Sequence, residues 1–151
     1  MKRSTLARAI KSAKGADEIL VDINTDDDHG YKARTRMIEK ATSTHLAFLD
    51  DDDIYTPDAI HWFRKYAEDV PVVFRMQYRA GGVLWRDKVV RYGNVGTPMI
   101  LVPNVPDKLG SWVPHAGAGS GGGDWSFLVG CVQRMGAPVW RTEIVCLVRP
   151  E

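Results

Sequence analysis

Cysteine is scarce in this chain: Cys131 and Cys146 are the only two among 151 residues. Their spacing matches no metal-binding pattern, and both sit in apolar surroundings, so they read as buried free thiols. That usage suits a cytoplasmic protein rather than a disulfide-stapled secreted one. There is no apolar run long enough to cross a bilayer, and no apolar stretch near Met1 of the kind a signal peptide needs. Charge of one sign is also missing, with 20 basic and 19 acidic residues giving a net +1. Such a balance argues against a general nucleic-acid or membrane-surface binder. No internal repeat, low-complexity linker or second domain interrupts the chain, so residues 1–151 are expected to form one domain with a real core.

What stands out is a run of four aspartates, Asp50-Asp51-Asp52-Asp53. It follows Thr44–Leu49, an apolar stretch that reads as a short buried strand. It precedes Thr56-Pro57-Asp58, which reads as a helix start with proline in its first turn. The run therefore falls at the C-terminal end of a strand, where α/β folds bind ligands. Four adjacent carboxylates repel unless a cation or a shifted pKa relieves them. Mg²⁺ or Mn²⁺, which prefer oxygen ligands, would do so. A solvated acidic turn capping the next helix is the competing reading.

Periodicity places the other elements. Thr5–Ala13 reads as an amphipathic helix with Leu6, Ala9, Ile10 and Ala13 on one face, ended by Gly15. Glu18–Ile23 reads as a strand, mostly apolar in the manner of parallel strands. Asn24–Gly30 is an acidic loop whose Asp26-Asp27-Asp28 run reads as solvated. Tyr31–Thr42 is a helix, with Ala33, Met37 and Ala41 four apart. Arg34 and Arg36 lie near its N-terminus, where the helix dipole disfavours cations but an arginine can help bind an anion. Thr56–Glu68 is the next helix and Val72–Tyr78 a strand. Val83–Trp85 and Val89–Tyr92 are expected to pair as a hairpin. Trp85 is assigned to the core. Thr97–Val102 is a further strand. Glycines 110, 117, 119, 121, 122 and 123 make Leu109–Gly123 a loop, a lid or binding segment. Asp124 opens a helix to Arg134 or Met135, and Val139–Val148 is a final strand. The alternation implies an α/β fold with a mixed, mostly parallel sheet flanked by helices.

Two features together resemble the family 2 glycosyltransferases of the GT-A fold. One is Ala33–Asp53, a helix beginning Ala-Arg that leads without gaps into an apolar strand ending Leu-Asp-Asp-Asp-Asp. The other is Asp124-Trp125, which resembles the family's later acidic site. The resemblance implies a Rossmann-like GT-A domain and an enzyme of the inverting, hexosyltransferase type. Its donor would be a nucleotide-diphosphate sugar and its acceptor a hydroxyl of unknown identity, with Mn²⁺ or Mg²⁺ as cofactor. Asp50 and Asp52 would form the Asp-x-Asp (DXD) motif that holds the metal, with Asp50 also near the ribose. Asp51 and Asp53 offer a second register of the same motif, with Asp51 on the donor. Asp22 would approach the nucleobase and Arg34 the nucleotide or its phosphates. Asp124 would be the catalytic base, or else only a helix cap. His115 is a metal or acceptor contact or a bystander, and Trp125 stacks on a sugar or packs in the core. The family's usual first strand, ahead of the first helix, is not recognisable here, so the domain reads as N-terminally shortened. Its absence would leave two strand edges open, with homo-oligomer formation as one remedy. It also keeps alive the alternative of a catalytically inactive GT-A-like module that binds a nucleotide or sugar.

Overall fold

The computed structural model describes residues 3–114 and 121–150. His115 lies outside the described residues. Four helices, α1 Arg3–Ser12, α2 Tyr31–Lys40, α3 Ala59–Lys65 and α4 Gly123–Met135, accompany six strands. The strands are β1 His45–Ala47, β2 Ile54–Tyr55, β3 Val72–Tyr78, β4 Val83–Leu84, β5 Ile100–Pro103 and β6 Val139–Val148. They form one sheet in the order β1-β5-β3-β6-β2, with β4 beside β3.

The sheet is mixed, but it is not mostly parallel. β3 and β6 are the one parallel pair among the described residues; the pairings β1–β5, β3–β5, β3–β4 and β2–β6 are all antiparallel. The central strands carry the core because they are apolar on both faces. Val72, Val73, Phe74, Ile100 and Val102 are fully buried. On them pack Phe127, Leu128 and Cys131 of α4, which recur at the three-to-four-residue spacing of one helix face. Trp112 stacks on Phe127 with ring centroids 4.5 Å apart, and Phe48 meets both edge-on.

Both cysteines are free and buried, as the sequence implied. Burial pushes the Cys131 thiol up to about 11. Trp85 is in the core as expected.

Two expected strands are different in the structure. Residues 18–23 join no ladder, and Ile19, Leu20, Val21 and Ile23 remain exposed. Val83–Leu84 pairs with Met76 and Gln77 of β3, not with residues 89–92. The turn between them is closed by Tyr78 and Gly82, the Tyr78 N–H donating to the Gly82 carbonyl at 2.8 Å. Residues 86–94 are instead gathered around the buried Asn94 side chain. Its amide donates to the Asp87 and Val89 carbonyls, and its oxygen accepts the Arg86 N–H. One satisfied asparagine thereby organises a loop that hydrophobic alternation alone reads as strand.

Candidate active site

The aspartate run is a tight turn closing an edge strand. The Asp53 N–H donates to the Asp50 carbonyl at 3.2 Å. Just before the turn, the buried Tyr55 hydroxyl donates to the Phe48 carbonyl at 2.8 Å, fixing where β1 ends. Asp50, Asp51 and Asp52 line a cavity of about 910 Å³, together with Asp22, Arg34 and Asp124. Asp53 points elsewhere. It is 5% exposed, and its carboxylate accepts the Arg149 N–H at 3.0 Å. Burial, with Asp50 and Asp52 nearby, raises its pKa to about 6. The register left open by the sequence is thus split by geometry: 50 to 52 face the cavity, and 53 fastens the turn to the end of β6.

Arginines relieve part of the repulsion among these carboxylates. Arg34 donates to the Asp50 carboxylate and, at 2.8 Å, to the His29 carbonyl. Its guanidinium lies over the Trp112 ring, 4.8 Å from the centroid. Arg34 is buried, so it is held rigidly where the N-terminus of α2 opens toward the cavity. Arg149 Nε donates to Asp52 at 3.0 Å, but both side chains are well exposed. Such a surface pair contributes at most about 1 kcal/mol and yields easily to a ligand.

α2 is positioned by the acidic loop before it. Asp28 accepts the N–H groups of Gly30 and Lys32, at 3.0 and 2.9 Å. Gly30 takes a φ of 80°, which favours glycine, to turn the chain into the helix. Asp28 therefore ties down the start of α2, whose N-cap is Gly30, and Asp26 pairs with Lys32 and Arg36. The solvated loop that the sequence suggests is a structured one. Asp22 is gripped by Arg36 through Nε and a second nitrogen at 2.8 and 3.2 Å, which lowers its pKa.

Asp124 lines the same cavity. α4 begins at Gly123 with Gly122 as its N-cap, so Asp124 is within the first turn and is not the cap. Its carboxylate accepts the N–H of Trp125 at 2.7 Å. Burial raises its pKa, against the opposing effects of that hydrogen bond and of Arg34. Trp125 packs against the core as a half-buried residue.

Tyr31 was not singled out by sequence, yet it joins the two helix starts. Its hydroxyl accepts the Gly123 N–H at 3.0 Å. A Cβ at position 123 would lie 2.2 Å from the Tyr31 ring, so glycine is required by close approach. Arg149, also unremarked by sequence, touches two of the four aspartates. The signal available for it was its place at the end of a strand, beside the expected ligand edge.

The family model described as Glycosyl transferase family 2 matches residues 4–112. The chain belongs to that family. No curated protein matches it. The matched span of this family 2 glycosyltransferase holds α2, β1 and the aspartate turn; α4 and Asp124 follow it. Membership assigns the chain to glycosyl transfer. Among the described residues no three histidine, cysteine, aspartate or glutamate side chains converge into a complete cation site. No helix among them is long and apolar enough to cross a membrane.

Proposed function

We propose that this chain is a metal-dependent, inverting glycosyltransferase. It moves a sugar from a nucleotide-diphosphate donor to an acceptor hydroxyl. The observation that carries the reading is that one cavity brings together two kinds of group. Asp50, Asp51, Asp52 and Arg34 line it, and so does the half-buried Asp124, whose pKa burial raises.

Asp50 and Asp52 fit a Mn²⁺ or Mg²⁺ ion by the chemistry of their donors. They are accessible carboxylates whose ion-pair partners are Arg34 and Arg149, and hard cations are commonly held by one or two carboxylates plus phosphate oxygens. When bound, the ion neutralises charge developing on the leaving diphosphate. Arg34 serves the same end from a fixed position: it braces Asp50 and adds positive charge beside the helix N-terminus. Asp22, already held by Arg36, contributes an acceptor for the nucleoside, and Asp51 a further polar contact to the donor. Asp124 takes the proton of the acceptor hydroxyl as its oxygen bonds to the anomeric carbon. The bond from that carbon to the diphosphate oxygen breaks with its electron pair on the leaving group. Attack opposite the leaving group inverts the centre.

An inactive binding module draws no support from a cavity that Asp22, Arg34, Asp50, Asp51, Asp52 and Asp124 all line. Calorimetric titration with UDP, GDP and their sugars in Mn²⁺ tests the proposal. Binding of one of them is expected, and its loss in Asp52→Ala. If none binds with Mn²⁺ present, the proposal fails. If slow donor hydrolysis survives Asp124→Ala but not Asp52→Ala, the base assignment fails.

A further inference from the structure

Charge balance over the whole chain conceals a local excess. The loop 86–92, just after β4, carries Arg86, Lys88 and Arg91 against one acidic residue, Asp87, a net +2 in a chain whose total is +1. All four of these residues are exposed. Arg91 pairs with Asp87. Arg86 and Lys88 have no ion-pair partner among the described residues. Val89 and Tyr92 stand beside these cations, 51 and 52% exposed.

Buried side chains brace the loop at both ends. Before it, Trp85 lies in the core, with the Arg75 guanidinium 4.2 Å from its ring centroid and its indole N–H donating to the Arg141 carbonyl at 3.2 Å. After it, the buried Asn94 side chain gathers Arg86, Asp87 and Val89, and the Asn94 N–H donates to the Arg91 carbonyl at 3.1 Å. Val90 packs against the core. Of two adjacent valines, one is thus turned inward and the other outward among cations. Scattered apolar side chains are ordinary on a protein surface. Two of them on a braced loop, beside two unpaired cations, have the composition of an interfacial anchor.

We propose that the loop 86–92 docks this chain onto an anionic lipid bilayer. Arg86 and Lys88 meet the headgroup phosphates, and Val89 and Tyr92 enter the boundary between headgroups and acyl chains. Basic side chains are drawn to a negatively charged bilayer once they come within a Debye length of it. Tyrosine suits the boundary because its ring is apolar and its hydroxyl polar. A nucleic-acid backbone would satisfy the cations but leave the valine in water, so the bilayer is the partner that uses both parts of the loop. Docking of this kind draws on none of the aspartates or arginines of the cavity and stands apart from the proposed glycosyl transfer.

Vesicle flotation of the purified chain, without nucleotide or metal, tests the proposal. Vesicles of equal parts phosphatidylglycerol and phosphatidylcholine are expected to bind it about tenfold or more tightly than phosphatidylcholine alone, and high salt should remove the difference. Arg86→Gln combined with Lys88→Gln should weaken that binding by about tenfold. Val89→Ser combined with Tyr92→Ser should weaken it several-fold. Lys11→Gln combined with Lys14→Gln makes the same change of charge at two exposed positions in and just after α1, and should bind as wild type does. Circular dichroism and thermal melting should show all three variants folded. No preference for the anionic vesicles, an equal loss in the Lys11 and Lys14 variant, or full binding by the Val89 and Tyr92 variant overturns the proposal. So does binding of a random-sequence duplex DNA as tight as that of the vesicles and lost in the Arg86 and Lys88 variant, which would make nucleic acid the partner.

Discussion

Asp53→Asn isolates the energetic strain in the aspartate turn. The Asp53 carboxyl is buried beside Asp50 and Asp52 and titrates near 6 in the folded chain, against 3.8 for an ordinary aspartate. Between those values the folded chain binds more protons than the unfolded one, so this group's contribution to stability falls as pH rises. The loss is complete somewhat above pH 6 and amounts to about 3 kcal/mol. Asparagine removes the charge but keeps an oxygen to accept the Arg149 N–H. In chelator-containing buffer at pH 8, the variant should therefore be more stable by up to about 3 kcal/mol, a rise in Tm of roughly 5–10 °C for a chain of this size. At pH 4 the two proteins should differ by less than about 1 kcal/mol, because the wild-type carboxyl is then protonated in the folded state and only a little more than half ionised in the unfolded one. Urea denaturation at the two pH values measures both differences. A variant less stable than wild type at pH 8, or a gain of equal size at pH 4, refutes the reasoning.

Two other perturbations follow from the geometry. A Cβ on Gly110 would lie 1.9 Å from the Phe127 carbonyl oxygen, and backbone cannot move aside as a side chain can. Gly110→Ala should cost about 3 kcal/mol or more by thermal denaturation, whereas Gly82→Ala, which meets only the Tyr78 ring at 3.8 Å, should change stability by less than about 1 kcal/mol. Asp124→Asn should lower turnover by about 10²–10⁴-fold and leave donor affinity nearly unchanged. Because burial raises the Asp124 pKa, wild-type turnover should fall on acidification at a pH above the ordinary 3.8, and the variant should lack that limb. A pH–rate profile with the same limb in both proteins removes Asp124 from the base role.

Sequence reasoning reached the elements whose signal is local. The helix of α2, the strand of β3 and the glycine-bounded α4 each follow from periodicity and a stop residue. The aspartate run was placed correctly at the end of β1 because an apolar run and a proline bracket it. What was not legible depends on partners far away in the chain. Residues 18–23 have the composition of a strand, but a strand needs a neighbour, and none of the described residues supplies one. Sheet direction was misjudged because alternating helices and strands suggest parallel crossovers, whereas between β3 and β5 the chain forms only β4 and one 3₁₀ turn, with no α-helix, and β5 pairs antiparallel with β1 and β3. The two-residue β2 is too short to carry a pattern and exists through its pairing with Cys146 and Leu147. The division of labour within the aspartates was also hidden. Four identical side chains differ only in what the turn makes them face, and Arg149, which distinguishes Asp53 from the others, is 96 residues away.

The hydrogen bond from Gly123 to Tyr31 bears on how this site can vary. It joins the starts of two helices that are 92 residues apart in the chain. Arg34 is one turn into the first helix and Asp124 is in the first turn of the second. Their separation is therefore measured through a tyrosine, not along the glycine-rich stretch that precedes Asp124. Residues could be added to or removed from that stretch without resetting the distance between Arg34 and Asp124. On the proposed reading of the site, the loop's length and the spacing of its charged groups are thereby independent variables.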